Sequence, residues 1–161
     1  MIFFTSDLHF SSDRTRTLSR RPFGHVDEVD GHLLYLWNRD VGPNDEVYIL
    51  GDFGDFSYFS GLSGKKYLLP GNHDQDIPPY IRQIHKGVHT IGGHDCYLCH
   101  EPMDCNLEYF NLFGHVHQLS MAKTFGLNVG TDCHHFAPIP LDVVLWYKEA
   151  ITHHYDENVF I

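Results

Sequence analysis

The sequence predicts an α/β fold, because its two halves carry different secondary-structure patterns. In the first half, apolar strands at residues 2–6 and 46–50 flank a helix at residues 25–40, and this β-α-β order favours parallel pairing. The second half shows short strands separated by turn residues, which is typical of a β-rich meander. No repeat or linker divides the chain, so residues 1–161 are expected to form a single domain of two packed sheets.

The helix predicted in the first half is supported by apolar residues that recur at helical spacing: Val26, Val29, Leu33, Leu36 and Trp37. Acidic residues in its first turns suit the positive end of the helix dipole. The turn Gly42-Pro43-Asn44-Asp45 then ends the helix. A third strand is predicted at residues 67–69, followed by a short helix opened by proline at residues 78–84.

The later strands are predicted from short runs of β-branched and aromatic residues, at residues 88–91, 95–99, 107–113, 127–129, 143–147 and 151–155. Residues 10–24 are predicted as a polar loop that carries a basic cluster of Arg14, Arg16, Arg20 and Arg21. Such a cluster is either solvated or faces a phosphate group, since the loop directly follows the polar end of the first strand. The sequence leaves both interpretations open.

Composition and charge restrict the classes of partner. The 161 residues are 42% hydrophobic and 20% charged, as in soluble globular chains, and no apolar stretch is long enough for a membrane span. The N-terminus lacks the features of a signal peptide, so cytoplasmic residence is expected. A formal net charge of −10 argues against an extended contact with duplex nucleic acid, because few Lys and Arg residues can neutralise phosphates. The oligomeric state is left open.

The four cysteines, Cys96, Cys99, Cys105 and Cys133, are expected to be reduced thiols. The run Cys96-Tyr97-Leu98-Cys99-His100 matches the attachment pattern of c-type haem, but that modification requires export. A zinc knuckle built on Cys96, Cys99, Cys105 and a histidine is a second alternative. The alternating pattern of residues 95–100 favours a plain strand with buried free thiols over both alternatives.

Polar side chains stand at the ends of the predicted strands, and this placement predicts a metal centre. The segments concerned are Asp7-Leu8-His9, Gly51-Asp52, Gly71-Asn72-His73-Asp74, His100 and Gly114-His115-Val116-His117. Divalent cations accept carboxylate, imidazole and amide ligands of this kind. In the Asp-x-His and His-x-His pairs, the two side chains point to the same side of an extended segment. Seven candidate ligands are too many for one ion, but they fit two ions that share a carboxylate.

The order of these motifs resembles that of the calcineurin-like metallophosphoesterase superfamily, in a small and minimal form. The resemblance covers residues 5–117 and includes Asp55 of the segment Gly51-Asp52-Phe53-Gly54-Asp55. Asn128-Val129-Gly130-Thr131-Asp132 is similar to the segment that follows the last motif in small bacterial members. The resemblance implies a four-layer α/β/β/α sandwich of two mixed β-sheets flanked by helices, with the metals at the edge of the sheets.

The resemblance also implies a role for each motif residue. One divalent ion would be held by Asp7, His9, Asp52 and His117, and a second by Asp52, Asn72, His100 and His115, with Asp52 bridging. His73 would stabilise the transition state or protonate the leaving oxygen, while Asp55 and Asp74 would orient the ligands or His73. Manganese is the first expectation for both ions, with iron, zinc and nickel as alternatives.

The activity implied is hydrolysis of phosphodiesters, with phosphomonoesters as further substrates, by in-line attack of a metal-bridging hydroxide. A nucleotide, a nucleic-acid end or another small phosphoester is the expected substrate, because few insertions cover the site. The alternative is a non-catalytic scaffold of the same fold that binds metal and other proteins. The presence of all seven ligand positions together with His73 favours the enzyme, since a scaffold has no chemical need for the full set.

Overall fold

The computed structural model describes residues 1–153, which form two β-sheets flanked by helices. In chain order the elements are β1 (Ile2–Thr5), α1 (Asp13–Leu18), α2 (Val26–Asp40), β2 (Glu46–Ile49), β3 (Lys65–Leu68), β4 (Gly87–Ile91), β5 (His94–Leu98), β6 (Asn111–Phe113), β7 (Ala122–Lys123), β8 (Gly126–Asn128), β9 (Ile139–Pro140) and α3 (Leu141–His153). None of the helices in this part of the chain combines the length and the apolar composition needed to cross a bilayer.

Both sheets are mixed. The first has the strand order β3-β2-β1-β9, in which only the β1–β9 pair is antiparallel. The second has the order β4-β5-β6-β8-β7, with parallel pairs at its centre and an antiparallel pair at each end. The predicted pair of mixed sheets flanked by helices is confirmed, as is the parallel pairing of the first half. The predicted meander in the second half is wrong, because β5, β6 and β8 run parallel.

Strand β1 is buried on both faces, which explains its uninterrupted apolar sequence. Phe3 belongs to a core that includes Leu33 of α2, so this helix covers one face of the first sheet. Phe4, the next residue, belongs to a second core with Leu98 of β5, between the two sheets. Helix α3 adds Val144 to this second core. Successive side chains of β1 therefore point to opposite faces of the first sheet, one face packing against helix α2 and the other against the second sheet.

The two strands predicted near the C-terminus are wrong, because α3 occupies these residues. β-branched residues suggested a strand at residues 143–147. However, Val144, Tyr147 and Ile151 recur at helical spacing, and Val144 and Tyr147 pack in the core between the sheets. The first part of the strand predicted at residues 151–155 is also helical, and residues 154 and 155 lie outside the described part of the chain.

Residues 78–84 form a turn and an extended segment, and not the predicted helix. The Leu68 amide donates a hydrogen bond to the Arg82 carbonyl oxygen at 2.9 Å, and the Ile84 amide donates to the Leu68 carbonyl oxygen at 2.8 Å. The segment therefore pairs with the end of β3. Pro78 and Pro79 also disfavour a helix at the start of this segment, because the residue before a proline is restricted to extended conformations.

Hydrogen bonds from side chains to the backbone explain two further differences between the predicted and the observed elements. Within the predicted loop at residues 10–24, the Ser12 hydroxyl accepts a hydrogen bond from the Thr15 amide at 3.2 Å and caps α1. The strand predicted at residues 107–113 shortens to β6, because the Asn111 side chain donates to the carbonyl oxygens of Asn106 and Tyr109 and holds a turn there. The two-residue strands β7 and β9 are too short for a sequence pattern to predict.

The parallel strands of both sheets end at one edge of the molecule. Beyond β1, the Asp7 amide donates to the Gly51 carbonyl oxygen at 3.0 Å, which joins the ends of β1 and β2. The Thr131 amide donates to the Ser6 carbonyl oxygen at 2.9 Å and so joins the end of β1 to the loop after β8. The loops after β1, β2, β3, β5 and β6 are therefore neighbours, and they carry every residue predicted as a metal ligand.

Candidate metal centre

Asp7, His9 and His117 form a first ligand group, in which one side-chain oxygen or nitrogen of each residue lies within 4.8 Å of the others. His9 Nε2 is 3.9 Å from Asp7 Oδ1. The rings of His9 and His117 stack, with their centroids 5.3 Å apart. Asp7 and His9 follow β1 of the first sheet, whereas His117 follows β6 of the second. The first ligand group therefore exists only where the two sheets meet.

Asp52, His100 and His115 form a second ligand group, again with one atom of each within 4.8 Å of the others. Asn72 joins them, since its Oδ1 lies 2.9 Å from His100 Nε2 and 3.1 Å from His115 Nδ1. A hydrogen bond of 2.7 Å between His100 Nδ1 and the Leu50 carbonyl oxygen directs the opposite ring nitrogen into the group. Every predicted ligand therefore lies in, or directly beside, one of two adjoining groups.

The Asp52 carboxylate belongs to the second ligand group and also approaches the first. Its Oδ2 is 3.5 Å from His9 Nε2 on one side and 3.4 Å from His100 Nε2 on the other. Its Oδ1 accepts a hydrogen bond from the His73 amide at 2.9 Å, which holds the carboxylate in this orientation. A carboxylate within reach of both groups has the position that a bridging ligand requires.

Two buried atoms of the first ligand group have no hydrogen-bond partner in the described part of the chain. Asp7 Oδ1 and His9 Nε2 make no hydrogen bond within residues 1–153. Burying a polar atom without a partner is costly, and a bound cation would satisfy both atoms. Carboxylate, imidazole and amide donors suit divalent manganese, iron, zinc and nickel alike. The residues present therefore fit divalent ions without selecting one metal.

Five of the seven predicted ligands adopt a left-handed backbone conformation. The φ angles are 57° at Asp7, 52° at His9, 53° at Asp52, 69° at His115 and 47° at His117. This conformation costs a non-glycine residue about 1–2 kcal/mol. Glycine would adopt this conformation without the cost. The presence of Asp and His at these positions therefore indicates that their side chains have a functional role. Strain of this kind clusters at functional sites.

Asp74 supports the loops that carry the ligands. Its carboxylate accepts three backbone N–H bonds, from Asp52 at 2.8 Å, Phe53 at 2.9 Å and Gly71 at 2.9 Å. These bonds join the loop after β2, which carries Asp52, to the loop after β3, which carries Asn72 and His73. Asp55 instead accepts hydrogen bonds from the Ser57 amide at 2.9 Å and the Ser11 hydroxyl at 3.3 Å. None of its hydrogen bonds within residues 1–153 reaches a predicted ligand.

An open groove of about 600 Å³ leads to the two ligand groups. Its lining includes His9, His73 and His117, together with Arg14 and Gln118. His73 is exposed to solvent, and its ring centroid lies 5.7 Å from that of His9. His73 belongs to neither ligand group. Its imidazole therefore stands beside the ligands on the side from which a substrate would enter.

The arginines of residues 14–21 do not form a common basic rim. Arg14 lines the groove, whereas Arg16 bonds to Asp13 at 2.7 Å. Arg21 is buried, with a side chain 1% exposed, and pairs with Asp132. Arg14 is therefore the arginine of this cluster that lines the groove, and the solvated interpretation does not describe Arg21.

Asp132 is a residue of the site whose role the sequence analysis missed. Its Oδ2 lies 2.6 Å from His117 Nδ1. Burial favours the neutral acid, but the hydrogen bonds of Asp132 with His117 and Arg21 outweigh burial and lower its pKa below the ordinary value. Burial also opposes the charged form of His117, yet the bond to Asp132 raises the pKa of His117. The available signal was Gly130-Thr131-Asp132, which places a carboxylate just after a glycine at a strand end, much as Gly51-Asp52 does.

Asp52 and His100 are oppositely charged while no metal is bound. Burial alone would raise the pKa of Asp52, but its hydrogen bond and charge interaction with His100 lower that pKa to about 2. Burial alone would lower the pKa of His100, but Asp52 and Asp7 raise it to about 9. At neutral pH the metal-free protein therefore carries His100 as an imidazolium.

Metal binding is expected to tighten as the pH rises toward the His100 pKa of about 9, because a cation needs the neutral imidazole and must displace its proton. Below that pKa the affinity should rise roughly tenfold per pH unit. Calorimetric titration of the metal-free protein with Mn²⁺, in two buffers that differ in ionisation enthalpy, would detect the released proton. Equal heats in both buffers and a flat pH profile would contradict this expectation.

The cysteines are free thiols, and neither ligand group found in residues 1–153 includes one. Cys96 and Cys99 are buried in β5 and at its end, as the strand interpretation predicts. Cys99 Sγ lies 3.5 Å from Cys105 Sγ. His100, the histidine next to Cys99 in the chain, points into the second ligand group and not toward the thiols. The geometry therefore favours the strand interpretation over the zinc knuckle.

Comparison with solved structures shows the fold. A protein of unknown function from Aquifex aeolicus superimposes with a TM-score of 0.73 and 22% identity, covering 91% of this chain and 98% of that chain. At this identity the likeness shows a shared fold alone. A predicted phosphoesterase from Streptococcus pneumoniae superimposes with a TM-score of only 0.42 and 19% identity, over 80% of this chain and 70% of that chain, which is too distant to support a conclusion.

Comparison with curated sequences finds relatives whose names state no activity, and no family model matches the chain. An uncharacterised protein of Methanocaldococcus jannaschii is 26% identical over 162 residues, which cover 89% of each chain. The gene 66 protein of Mycobacterium phage L5 is 37% identical over 94 residues, or 53% of this chain and 44% of the phage protein. The function therefore has to be inferred from the site itself.

Proposed function

We propose that the protein is a phosphoester hydrolase that uses two divalent metal ions. The observation that carries this proposal is the position of Asp52 Oδ2, 3.5 Å from His9 Nε2 and 3.4 Å from His100 Nε2. Two ligand groups that share one carboxylate suit a pair of ions, and a pair of ions suits phosphoryl transfer. The resemblance of the motif order to the calcineurin-like metallophosphoesterases supports the same chemistry.

When bound, two such ions supply a nucleophile derived from water at neutral pH and positive charge that stabilises the phosphoryl oxygens. The residues that would hold them are Asp7, His9, Asp52 and His117 for one ion, and Asp52, Asn72, His100 and His115 for the other. His73 lines the groove beside these ligands and would protonate the departing alcohol oxygen. Its backbone amide donates to Asp52 Oδ1 at 2.9 Å, so the carboxylate between the groups also positions the segment that carries this imidazole.

The space around the centre favours a phosphodiester. The groove of about 600 Å³ lies on the His73 side, and a smaller one of about 320 Å³ is lined by Asn72 and His100. A diester could extend a substituent into each groove, whereas a monoester would use one. Arg14 adds positive charge to the larger groove, which suits an anionic nucleotide or a nucleic-acid end. The net charge of −10 still argues against a long duplex contact.

The test is an assay of chelator-treated protein on bis-p-nitrophenyl phosphate and p-nitrophenyl phosphate, with Mn²⁺, Ni²⁺, Zn²⁺ or Mg²⁺ added back. The proposal expects metal to restore hydrolysis, with the diester cleaved faster than the monoester. Binding of two ions without turnover of either ester, or of a dinucleotide, would favour the non-catalytic scaffold. Failure to bind any metal would overturn the proposal.

The His73→Ala variant is expected to lose roughly 10²–10⁴-fold in kcat while it still binds metal, because His73 would supply a proton without being a ligand. The loss should be larger for an alkyl ester than for a p-nitrophenyl ester, since p-nitrophenolate leaves without protonation. Steady-state kinetics on both esters, with metal content measured in parallel, would check this. His94→Ala, at the exposed start of β5, is the control. Equal losses on both esters would argue against proton donation.

A further inference from the structure

Arg21 and Asp132 form a buried ion pair beside the first ligand group. Arg21 Nε donates to Asp132 Oδ1 at 2.9 Å, and Arg21 Nη2 donates to Asp132 Oδ2 at 3.1 Å. The side chains are 1% and 4% exposed. The two residues are 111 positions apart in the chain. The pair therefore connects the segment between α1 and α2 with the loop after β8 through a two-point, charge-assisted contact.

The same guanidinium holds the backbone that carries Asp7 and His9. Arg21 Nη2 donates to the Asp7 carbonyl oxygen at 2.6 Å, and Nη1 donates to the Leu8 carbonyl oxygen at 2.8 Å. Asp7 and His9 have φ angles of 57° and 52°, so their backbone is held in a left-handed conformation that is unfavourable for residues other than glycine. Two charge-assisted hydrogen bonds to its carbonyl oxygens oppose a relaxation that would turn both side chains away from the centre.

Asp132 orients the imidazole of His117, the third residue of the first ligand group. Its Oδ2 lies 2.6 Å from His117 Nδ1, which leaves Nε2 as the ring nitrogen available to a cation. Asn128 Nδ2 donates to the His117 carbonyl oxygen at 2.7 Å, so the backbone of this residue is also held. A carboxylate bonded to the outer nitrogen of a ligating imidazole fixes its tautomer and orientation.

Stability alone does not explain why this pair is ionic. Removing two charges from water is costly, and apolar residues of similar volume often stabilise a core at least as well as a buried ion pair. An apolar pair, however, could neither bond to the carbonyl oxygens of Asp7 and Leu8 nor orient the imidazole of His117. The ionic side chains are therefore explained by the hydrogen bonds they make to the segment and the imidazole of the first ligand group, and not by core packing.

We propose that Arg21 and Asp132 are positioning residues that set the geometry of the first ligand group, and only of that group. This inference rests on the proposed metal centre. The second ligand group is held by different contacts, namely the bond between His100 Nδ1 and the Leu50 carbonyl oxygen and the bond from the His73 amide to Asp52 Oδ1. Disturbing the pair should therefore affect the binding of one ion and spare the other.

The experiment is calorimetric titration of metal-free protein with Mn²⁺ for wild type, Asp132→Asn and Arg21→Lys. Each variant keeps the approximate size of the side chain but loses the charge or the planar fork. We expect one of two binding events to weaken roughly 10–100-fold and the other to stay within the error of wild type. Because either variant could lose its fold, circular dichroism and thermal melting accompany each titration, and the ¹⁵N NMR signals of the His117 imidazole in the metal-free protein provide a second readout.

The chain offers a matched control in Arg39 and Asp40, a pair of the same type on α2 whose side chains are 52% and 29% exposed and whose bonds are 2.6 and 2.7 Å. Arg39→Lys and Asp40→Asn should leave both binding events and the His117 signals unchanged. If Asp132→Asn bound both Mn²⁺ ions with wild-type affinity, or if both affinities fell equally, the positioning role would be overturned. Unchanged His117 signals in a variant that folds would overturn it as well. A wild-type protein that binds no metal would instead refute the proposed function, so the two failures are distinguishable.

Discussion

Hydrolysis of bis-p-nitrophenyl phosphate is expected to fall roughly 10³-fold or more in the Asp52→Asn variant. Asp52 Oδ2 is the atom within reach of both ligand groups, at 3.5 Å from His9 Nε2 and 3.4 Å from His100 Nε2. An amide offers a single neutral oxygen, so it would serve one group at most and would not offset the repulsion between two cations. Bound metal, measured on desalted protein, should fall by about half.

Asp95→Asn is the matched control for this substitution. Asp95 is exposed on β5, where it accepts a hydrogen bond from the Thr90 hydroxyl at 2.6 Å. Its conversion to an amide should change neither metal content nor turnover. Full metal content and wild-type turnover in Asp52→Asn would refute the bridging role, and with it the proposed two-metal chemistry.

The free energy of unfolding is expected to fall by about 2–3 kcal/mol in the Gly114→Ala variant, with a melting temperature about 4–12 °C lower. A Cβ atom at Gly114 would lie 2.0 Å from Ser6 Oγ and 2.4 Å from Asp7 Oδ2. Neither atom can withdraw freely, because the Ser6 hydroxyl donates to the Leu50 carbonyl oxygen at 2.7 Å and Asp7 Oδ2 accepts from the His115 amide at 2.8 Å. The added methyl group would push apart the ends of the two sheets.

Gly31→Ala separates this steric effect from the general effect of replacing a glycine. A Cβ atom at Gly31, in α2, would meet nothing within 4 Å. Alanine favours a helix over glycine by about 0.5–1 kcal/mol, so this variant should gain stability. Thermal and denaturant unfolding of the metal-free proteins would measure both changes. A Gly114→Ala variant as stable as wild type would mean that the ends of the sheets do not pack as closely as described.

Most of the candidate site could be predicted because its residues sit in short motifs at strand ends. An apolar strand, a glycine and then a carboxylate or imidazole, as in Gly51-Asp52, is a local signal. Parallel strands bring their carboxyl ends to one edge of a sheet, so the order of such motifs places Asp7, Asp52 and Asn72 together without any further information. The structure groups these residues as the motifs suggest.

The contacts that support the ligands could not be predicted in the same way. Arg21 appeared to be one of four similar arginines in a polar loop, and Asp132 followed the last recognisable motif. Their pairing spans 111 positions and depends on both side chains being buried. Burial of a charged residue leaves no local pattern, because it depends on what packs above it.

The errors in secondary structure have a similar origin. The propensity of β-branched residues favoured a strand at residues 143–147, but the core between the sheets selects a helix with Val144 and Tyr147 on its inner side. The Pro78-Pro79 segment could open a helix by local rules, but hydrogen bonds to Leu68 hold it extended. In both cases tertiary contacts outweighed a weak local preference.

The sequence by itself therefore determined the kind of chemistry available, because the residue types and their order at the strand ends specify which donors a cation would meet. The resemblance of the motif order also implied two groups that share Asp52, but only the tertiary structure decided the distances within and between these groups and the position of Asp132 behind His117. The physical reason is that these distances arise where loops from two sheets meet. Some of these side chains come from segments 108 positions apart, as with Asp7 and His115, and no local pattern fixes the approach of such segments.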